Sequence, residues 1–387
     1  MIRHWLPALA GMLCLALGAG LIGVYGFFVE PLAAEFGVGL AVMNVGPVAL
    51  LLVPGLFGPI IGRLADRLPI RRLVFAGACI ASFALLAISQ SDQLAWIALS
   101  WLLFSLGLTF YGPVVINGLM IKLYPGREAR ALAIAAIGIS VASIILPPLI
   151  GTLLDQTDWR STLRLMSAGL FVCLSLTLLA IPDGIAGAAV QDSRPRQGIY
   201  RRREFWLIGL CVAVGLNVAI VLAVCYPAHF IDAGYSKTQV GGFIAAAGTA
   251  GLVGKACIAW LGDAGRHFAK WLAMMLLLVQ GAGLLALVSV DGSTALVLVM
   301  LCMGFAGGAF IPMHPYLNSR YFDAAVIGEV NGAQMPLFLP FGLVGAPLAG
   351  YAYDQLGNYD TVFVALAGIY VLAALLALAL PVSRTET

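Results

Sequence analysis

Pro148-Leu149-Ile150-Gly151, followed by Asp155-Gln156, returns as Pro347-Leu348-Ala349-Gly350, followed by Asp354-Gln355. Each matched residue is displaced by 199 positions, about half of the 387-residue chain. A near-copy at half-length predicts two similar halves related by an internal symmetry.

Composition narrows the class. The chain is 61% hydrophobic and only 10% charged, where a soluble domain carries about 25% charged residues. Apolar runs long enough to cross ~30 Å of hydrocarbon follow one another with little between them. This predicts a polytopic membrane protein. The first run, roughly Leu6 to Phe28, is too long for a signal-peptide core and no small-residue cleavage site follows, so it is expected to stay as a membrane helix. Seven cysteines, Cys14, Cys79, Cys173, Cys211, Cys225, Cys257 and Cys302, all fall in apolar segments without C-x-x-C spacing. They read as small hydrophobes, not as disulfides or metal ligands.

Apolar runs and the charged or Gly/Pro breaks between them place twelve spans, near 6–28, 40–62, 73–90, 95–120, 131–153, 162–181, 205–227, 238–261, 269–289, 294–317, 328–350 and 361–381. The expected fold is an all-α membrane protein of twelve transmembrane helices in two pseudo-symmetric six-helix bundles, 1–181 and 205–387. Between them, 182–204 carries Arg194, Arg196, Arg201, Arg202 and Arg203 and reads as a cytoplasmic linker. With both termini in the cytoplasm, seventeen of the 21 Lys and Arg fall on that side, against Arg160, Arg164 and Lys237 outside. Cations near span ends resist translocation, so this excess predicts the orientation in a plasma (inner) membrane. It also accounts for the net charge of +3 without a nucleic-acid partner.

The loop between the second and third spans reads Gly62-Arg63-Leu64-Ala65-Asp66-Arg67-Leu68-Pro69-Ile70-Arg71-Arg72. It resembles the G-x-L-A-D-R-x-G-R-R signature of the major facilitator superfamily, with Pro69 in place of the second Gly. The second half holds a degenerate copy, Leu261-Gly262-Asp263-Ala264-Gly265-Arg266. The resemblance implies twelve helices in two bundles and a conformational latch formed by Gly62, Asp66, Arg67, Arg71, Asp263 and Arg266. The loop makes physical sense on its own terms, because an acid at a helix end can pair with arginines and with the positive N-terminus of a neighbouring helix. Three further stretches, Tyr25 to Leu32 with Glu35-Phe36-Gly37, Arg127 to Ile134, and Pro147-Pro148 to Asp155 with Trp159-Arg160, look most like the bacterial branch of monocarboxylate transporters and oxalate:formate antiporters.

Lys255 is the cation that no loop accounts for. It lies eight positions before Asp263, about 12 Å along a helix from that loop, towards the middle of the eighth span. Charges at such depth are costly and usually functional. Glu30, at the outer end of the first span, is the nearest acid, so Lys255 is a candidate counter-ion for an anionic substrate. The resembling branch commonly places Arg in a Gly-Arg pair here, and this chain has Gly254-Lys255; a lysine is a point charge without the bidentate fork. The bland alternative is a lysine that snorkels to the interface.

His314 stands between Pro312 and Pro315 in the tenth span, where proline breaks the helix and a histidine can carry a coupling proton or bond a carboxylate. Tyr111 and Asn117 occupy the equivalent region of the fourth span, six positions apart and so on neighbouring faces of its helix. Asn217, Tyr226 and Tyr25, with Asn331 and Gln334, are further polar candidates whose ordinary role would be packing between helices. No Lys or Arg falls in 330–350, which disfavours a dicarboxylate needing two clamps.

No G-x-x-x-x-G-K-[ST] motif and no Ser/His/Asp or Cys/His arrangement stands out. The sequence thus predicts a monomeric secondary carrier, not an enzyme and without cofactor or metal. The expected cargo is a small carboxylate, moved with a proton by alternating access, with Lys255 and His314 as proton-coupling groups. The competing expectation is a carrier of a neutral or amphipathic compound.

Overall fold

A computed structural model describes residues 2–38, 46–183, 198–235, 237–261, 268–290 and 292–381. The predicted Asp263 and Arg266 and most of the 182–204 linker lie outside the described residues.

The first half runs through α1 (Ile2–Gly23), α2 (Gly26–Phe36), α3 (Gly46–Arg67), α4 (Ile70–Gln90), α5 (Leu94–Tyr111), α6 (Pro113–Leu123), α7 (Glu128–Gln156) and α8 (Trp159–Thr177). The second half runs through α9 (Arg203–Asp232), α10 (Lys237–Leu261), α11 (Ala269–Ser289), α12 (Ser293–Phe310), α13 (Met313–Tyr321), α14 (Ile327–Ala333), α15 (Phe338–Leu356) and α16 (Asp360–Leu378). Among the described residues there is no strand, and ten helical stretches are long and apolar enough to cross a bilayer. Helices are the only open-ended way to satisfy every backbone N–H and C=O in hydrocarbon. With α1–α2, α5–α6, α12–α13 and α14–α15 each joined across its break, the helices group into the twelve passes expected from the sequence, α3 and α8 being the two outside those ten.

The breaks correct four spans read as continuous, and their causes are local. Gly112 is extended (φ −83°, ψ −168°) and Pro113 opens α6 behind it; the Pro ring excludes the helical conformation for the residue before it. Tyr111 and Asn117 are therefore not on one helix, and the rotation between them is not that of a continuous span. Pro312 precedes α13, and a short 3₁₀ turn at Met335–Leu337, with Pro336 inside it, separates α14 from α15. The first pass breaks at Val24-Tyr25.

By contact, the chain forms two compact units. Unit 1 comprises Met1–Pro125, Ile134–Arg194 and Asp323–Met335; unit 2 comprises Gly126–Ala133, Pro195–Phe322 and Pro336–Thr387. In unit 1, α4 packs between α5 and α8, α1 lies on α6 and α8, and α3 rests on α5 and α14. Unit 2 is built on α10 against α12, α11 against α12 and α16, and α9 against α15 and α16. Each core is lined by aromatic side chains with no exposure to speak of, Tyr111 and Phe104 in unit 1, Tyr316, Tyr370 and Phe363 in unit 2.

Candidate functional site

The charged loop after the second pass is held in unit 1 by a buried carboxylate. Asp66, 6% exposed at the end of α3, accepts hydrogen bonds from the backbone amides of Gly328 (3.0 Å) and Glu329 (2.7 Å) in the first turn of α14. Those amides have no partner inside their own helix, so a carboxylate completes them and meets the positive end of the helix dipole. The cation on Asp66 is Lys122 from the end of α6, whose Nζ lies 2.8 Å from Oδ1 and 3.0 Å from the carbonyl of Ala65. Burial lifts the Asp66 carboxyl above its ordinary range, against the pull of Lys122 and the two amides.

The arginines of the loop go elsewhere. Arg63 bonds Glu329 (3.1 Å), Arg71 bonds Asp183 (2.7 Å), and Arg67 is exposed. Gly62 admits the approach of α14, since a Cβ there would overlap the carbonyl of Gly328. Lys122 and Glu329 are the residues that sequence reasoning missed. A lysine at a span end reads as a topological charge, and Glu329 lies 266 positions from its partner Arg63.

Unit 2 shows a comparable device at its own helix end. Arg130, at the start of α7, donates to the carbonyls of Ala259 (2.9 Å) and Trp260 (3.4 Å) in the last turn of α10. A guanidinium there satisfies terminal carbonyls and complements the negative end of the dipole.

Lys255 lies on that same α10 and is 4% exposed. The adjacent Gly254 faces α12 so closely that a Cβ would overlap the carbonyl of Phe305, which fixes the rotation of α10 about its axis. His314 is buried near the start of α13, its ring edge-on to Phe338 at 5.6 Å. Asn217 on α9 donates to the carbonyls of Ala213 (2.7 Å) and Phe338 (3.2 Å). The structure thus brings His314 and Asn217 together on Phe338, a residue that sequence reasoning missed although the Pro336 break points to it. Tyr226, on α9, lies with its hydroxyl 3.9 Å from the sulfur of Met303.

In unit 1, Tyr111 turns into the core, where its ring lies close to Gly77 of α4 and Gly18 of α1, while Asn117 on α6 is half-buried. Tyr25 sits at the break between α1 and α2 with its ring against Trp101, 4.8 Å between centroids. Asn331 and Gln334 are buried at α14 and its end.

The opposite end of unit 1 is clamped by Arg160. Its guanidinium bonds Glu35 (2.6 Å), Asp92 (3.0 Å) and the carbonyls of Ser89 and Ser91, while the Trp159 indole donates to Glu35 at 2.6 Å. Burial pushes the Glu35 carboxyl up, but the bonds from Arg160 and Trp159 and the Arg160 charge outweigh it and hold Glu35 below the ordinary carboxylate range. Among the described residues no group of three His, Cys, Asp or Glu is placed to hold a metal ion.

The Major Facilitator Superfamily model matches residues 9–343. Monocarboxylate transporter 13 of Rattus norvegicus is 27% identical over 383 residues, covering 95% of this chain and 86% of that one. Monocarboxylate transporter 11 of Mus musculus is 26% identical over 404 residues, covering 97% and 87%. Among solved structures, the Major Facilitator Superfamily transporter FucP in its outward conformation superposes with a TM-score of 0.76 at 14% identity, covering 97% of this chain and 98% of that one. The chain belongs to the Major Facilitator Superfamily, and so to the multi-pass membrane transporters of small molecules rather than to the enzymes.

Proposed function

We propose that this transporter carries a small organic anion, a monocarboxylate, across a plasma (inner) membrane by alternating access, coupled to a proton. The observation that carries the reading is Lys255, a cation buried in the apolar α10. An ammonium at that depth attracts a carboxylate strongly because little water screens the pair. The relatives, monocarboxylate transporters 11 and 13, support the same cargo by their names. Lys255 takes the carboxylate as a point charge, and Lys255 or His314 takes the coupling proton. Asn217, Tyr25, Tyr111 and Asn117 are the polar residues that orient the cargo. Asp66 with Gly62, Arg67, Arg71, Asp263 and Arg266 forms the latch that must open in each cycle. The carrier works as a monomer of two bundles, 1–181 and 205–387, joined by a cytoplasmic 182–204 linker, with both termini in the cytoplasm.

The test is uptake of labelled formate, lactate and oxalate into proteoliposomes with and without an acid-outside gradient. Lactate or formate uptake that rises with external acidity supports the proposal. Lys255→Gln should then lower carboxylate uptake by roughly 100-fold, the scale of losing a charge-assisted bond in a dry site. Lys255→Gln protein that moves carboxylates at the wild-type rate would sink the mechanism. A panel without any uptake would turn the weight to a neutral or amphipathic cargo.

A further inference from the structure

A cavity of about 560 Å³ opens in unit 1 between the start of α4 and the end of α8, lined by Pro69, Arg71, Arg72, Phe75, Leu178 and Asp183. One side of it is cationic. Among the residues that line it the one acid is Asp183, whose side chain is 79% exposed although it accepts from Arg71 at 2.7 Å. An ion pair so open to water holds its partner weakly. The helix adds to the positive field, because α4 begins behind Pro69 with no side-chain cap and no acid in its first turn. Two arginines therefore stand at the positive end of the dipole, where an anion is the favoured neighbour.

The other side is apolar. Phe75, 48% exposed, lines it together with Leu178. The two helices are tied together by the Ser167 hydroxyl donating to the Ser82 carbonyl at 2.7 Å. The cavity thus sets charge at the start of α4 beside an apolar wall of Phe75 and Leu178. Asp66 and the residues that bond it, Lys122, Gly328 and Glu329, do not line it.

We propose that this cavity binds the phosphate of an anionic phospholipid headgroup. Arg71 and Arg72 hold the phosphate oxygens, for which the guanidinium fork is suited, and the acyl chains run along Phe75 and Leu178. Free phosphate offers the same oxygens but leaves the apolar wall bare.

The experiment titrates the purified full-length protein in detergent with phosphatidylglycerol, phosphatidylcholine or inorganic phosphate. Native mass spectrometry reads retention, and the unfolding temperature reads protection. Phosphatidylglycerol should be retained and protect, and the Arg71→Gln/Arg72→Gln variant should bind it roughly tenfold more weakly or worse. Arg164→Gln, at the other end of α8, should bind as wild type. Asp183→Asn, which removes the competing acid, should bind more tightly. Wild-type retention in the double variant overturns the proposal, and so does protection by inorganic phosphate equal to that by phosphatidylglycerol. Should the double variant fail to fold, Asp183→Asn decides alone, a tighter complex supporting the site and an unchanged one overturning it.

Discussion

Asp66 and Lys122 are each less than a tenth exposed at the side chain and lie 2.8 Å apart. Removing one member of such a pair leaves the other charged and desolvated, which costs about 3–5 kcal/mol. Lys122→Gln should lower the unfolding midpoint accordingly, and Lys122→Met with Asp66→Leu should lose less than the two single changes together. A double-mutant cycle on detergent-solubilised protein checks this. Glu35 predicts a pH effect of definite sign. Its carboxyl is held below the ordinary range in the folded state, so the unfolded chain binds more protons and stability rises with pH. The contribution is present above the ordinary carboxylate range and fades as pH falls through the lowered value. Glu35→Gln should flatten that acid limb of the unfolding temperature. Asp66 was legible in the sequence because Gly62 to Arg67 follows a known pattern, the departure falling later, at Pro69. The Glu35–Arg160 bond was not, although both residues stood in quoted stretches, since 125 positions separate them and charge pairs leave no periodic trace.

At the scale of elements, hydropathy located the passes but not their faces. A helix that is apolar all round gives no stripe to read, so the rotation of α10 could not be told from Gly254-Lys255 alone. The contact with Phe305 sets it. Gly254→Val should force α10 and α12 apart at a cost of about 1–3 kcal/mol, whereas Val253→Leu, on a side chain that is half exposed, should be near neutral. Unfolding temperatures of the two variants separate these outcomes. The breaks at Gly112-Pro113 and Pro312 were written in the sequence as proline, yet the apolar runs bridge them, so a hydropathy reading carries straight across. Backbone restriction and hydrophobicity are independent properties there, and only the second has a long-range signal.

At the scale of the whole molecule, the 199-residue repeat predicts two halves. It did not foretell that unit 1 takes in Asp323–Met335 or that unit 2 takes in Gly126–Ala133. The two segments are themselves related by the repeat, for Arg130 and Glu329 stand 199 positions apart. Each begins a helix and each meets the end of another, at Asp66 in unit 1 and at the carbonyls of Ala259 and Trp260 in unit 2. Such pairings join residues far apart in sequence, and loop closure over such distances slows assembly.

Synthesis therefore sets a schedule. Asp66 and Lys122 leave the ribosome long before Gly328, which follows Asp66 by 262 positions. Until then Asp66 lacks the two amides and Gly62 lacks the helix that packs on it, and unit 1 remains a nascent intermediate through most of elongation. Protease protection of stalled nascent chains should rise for the loop at 62–72 only once Met335 has emerged. A late step of this kind makes the order of translation, and not only the final set of contacts, part of how the transporter reaches its working form.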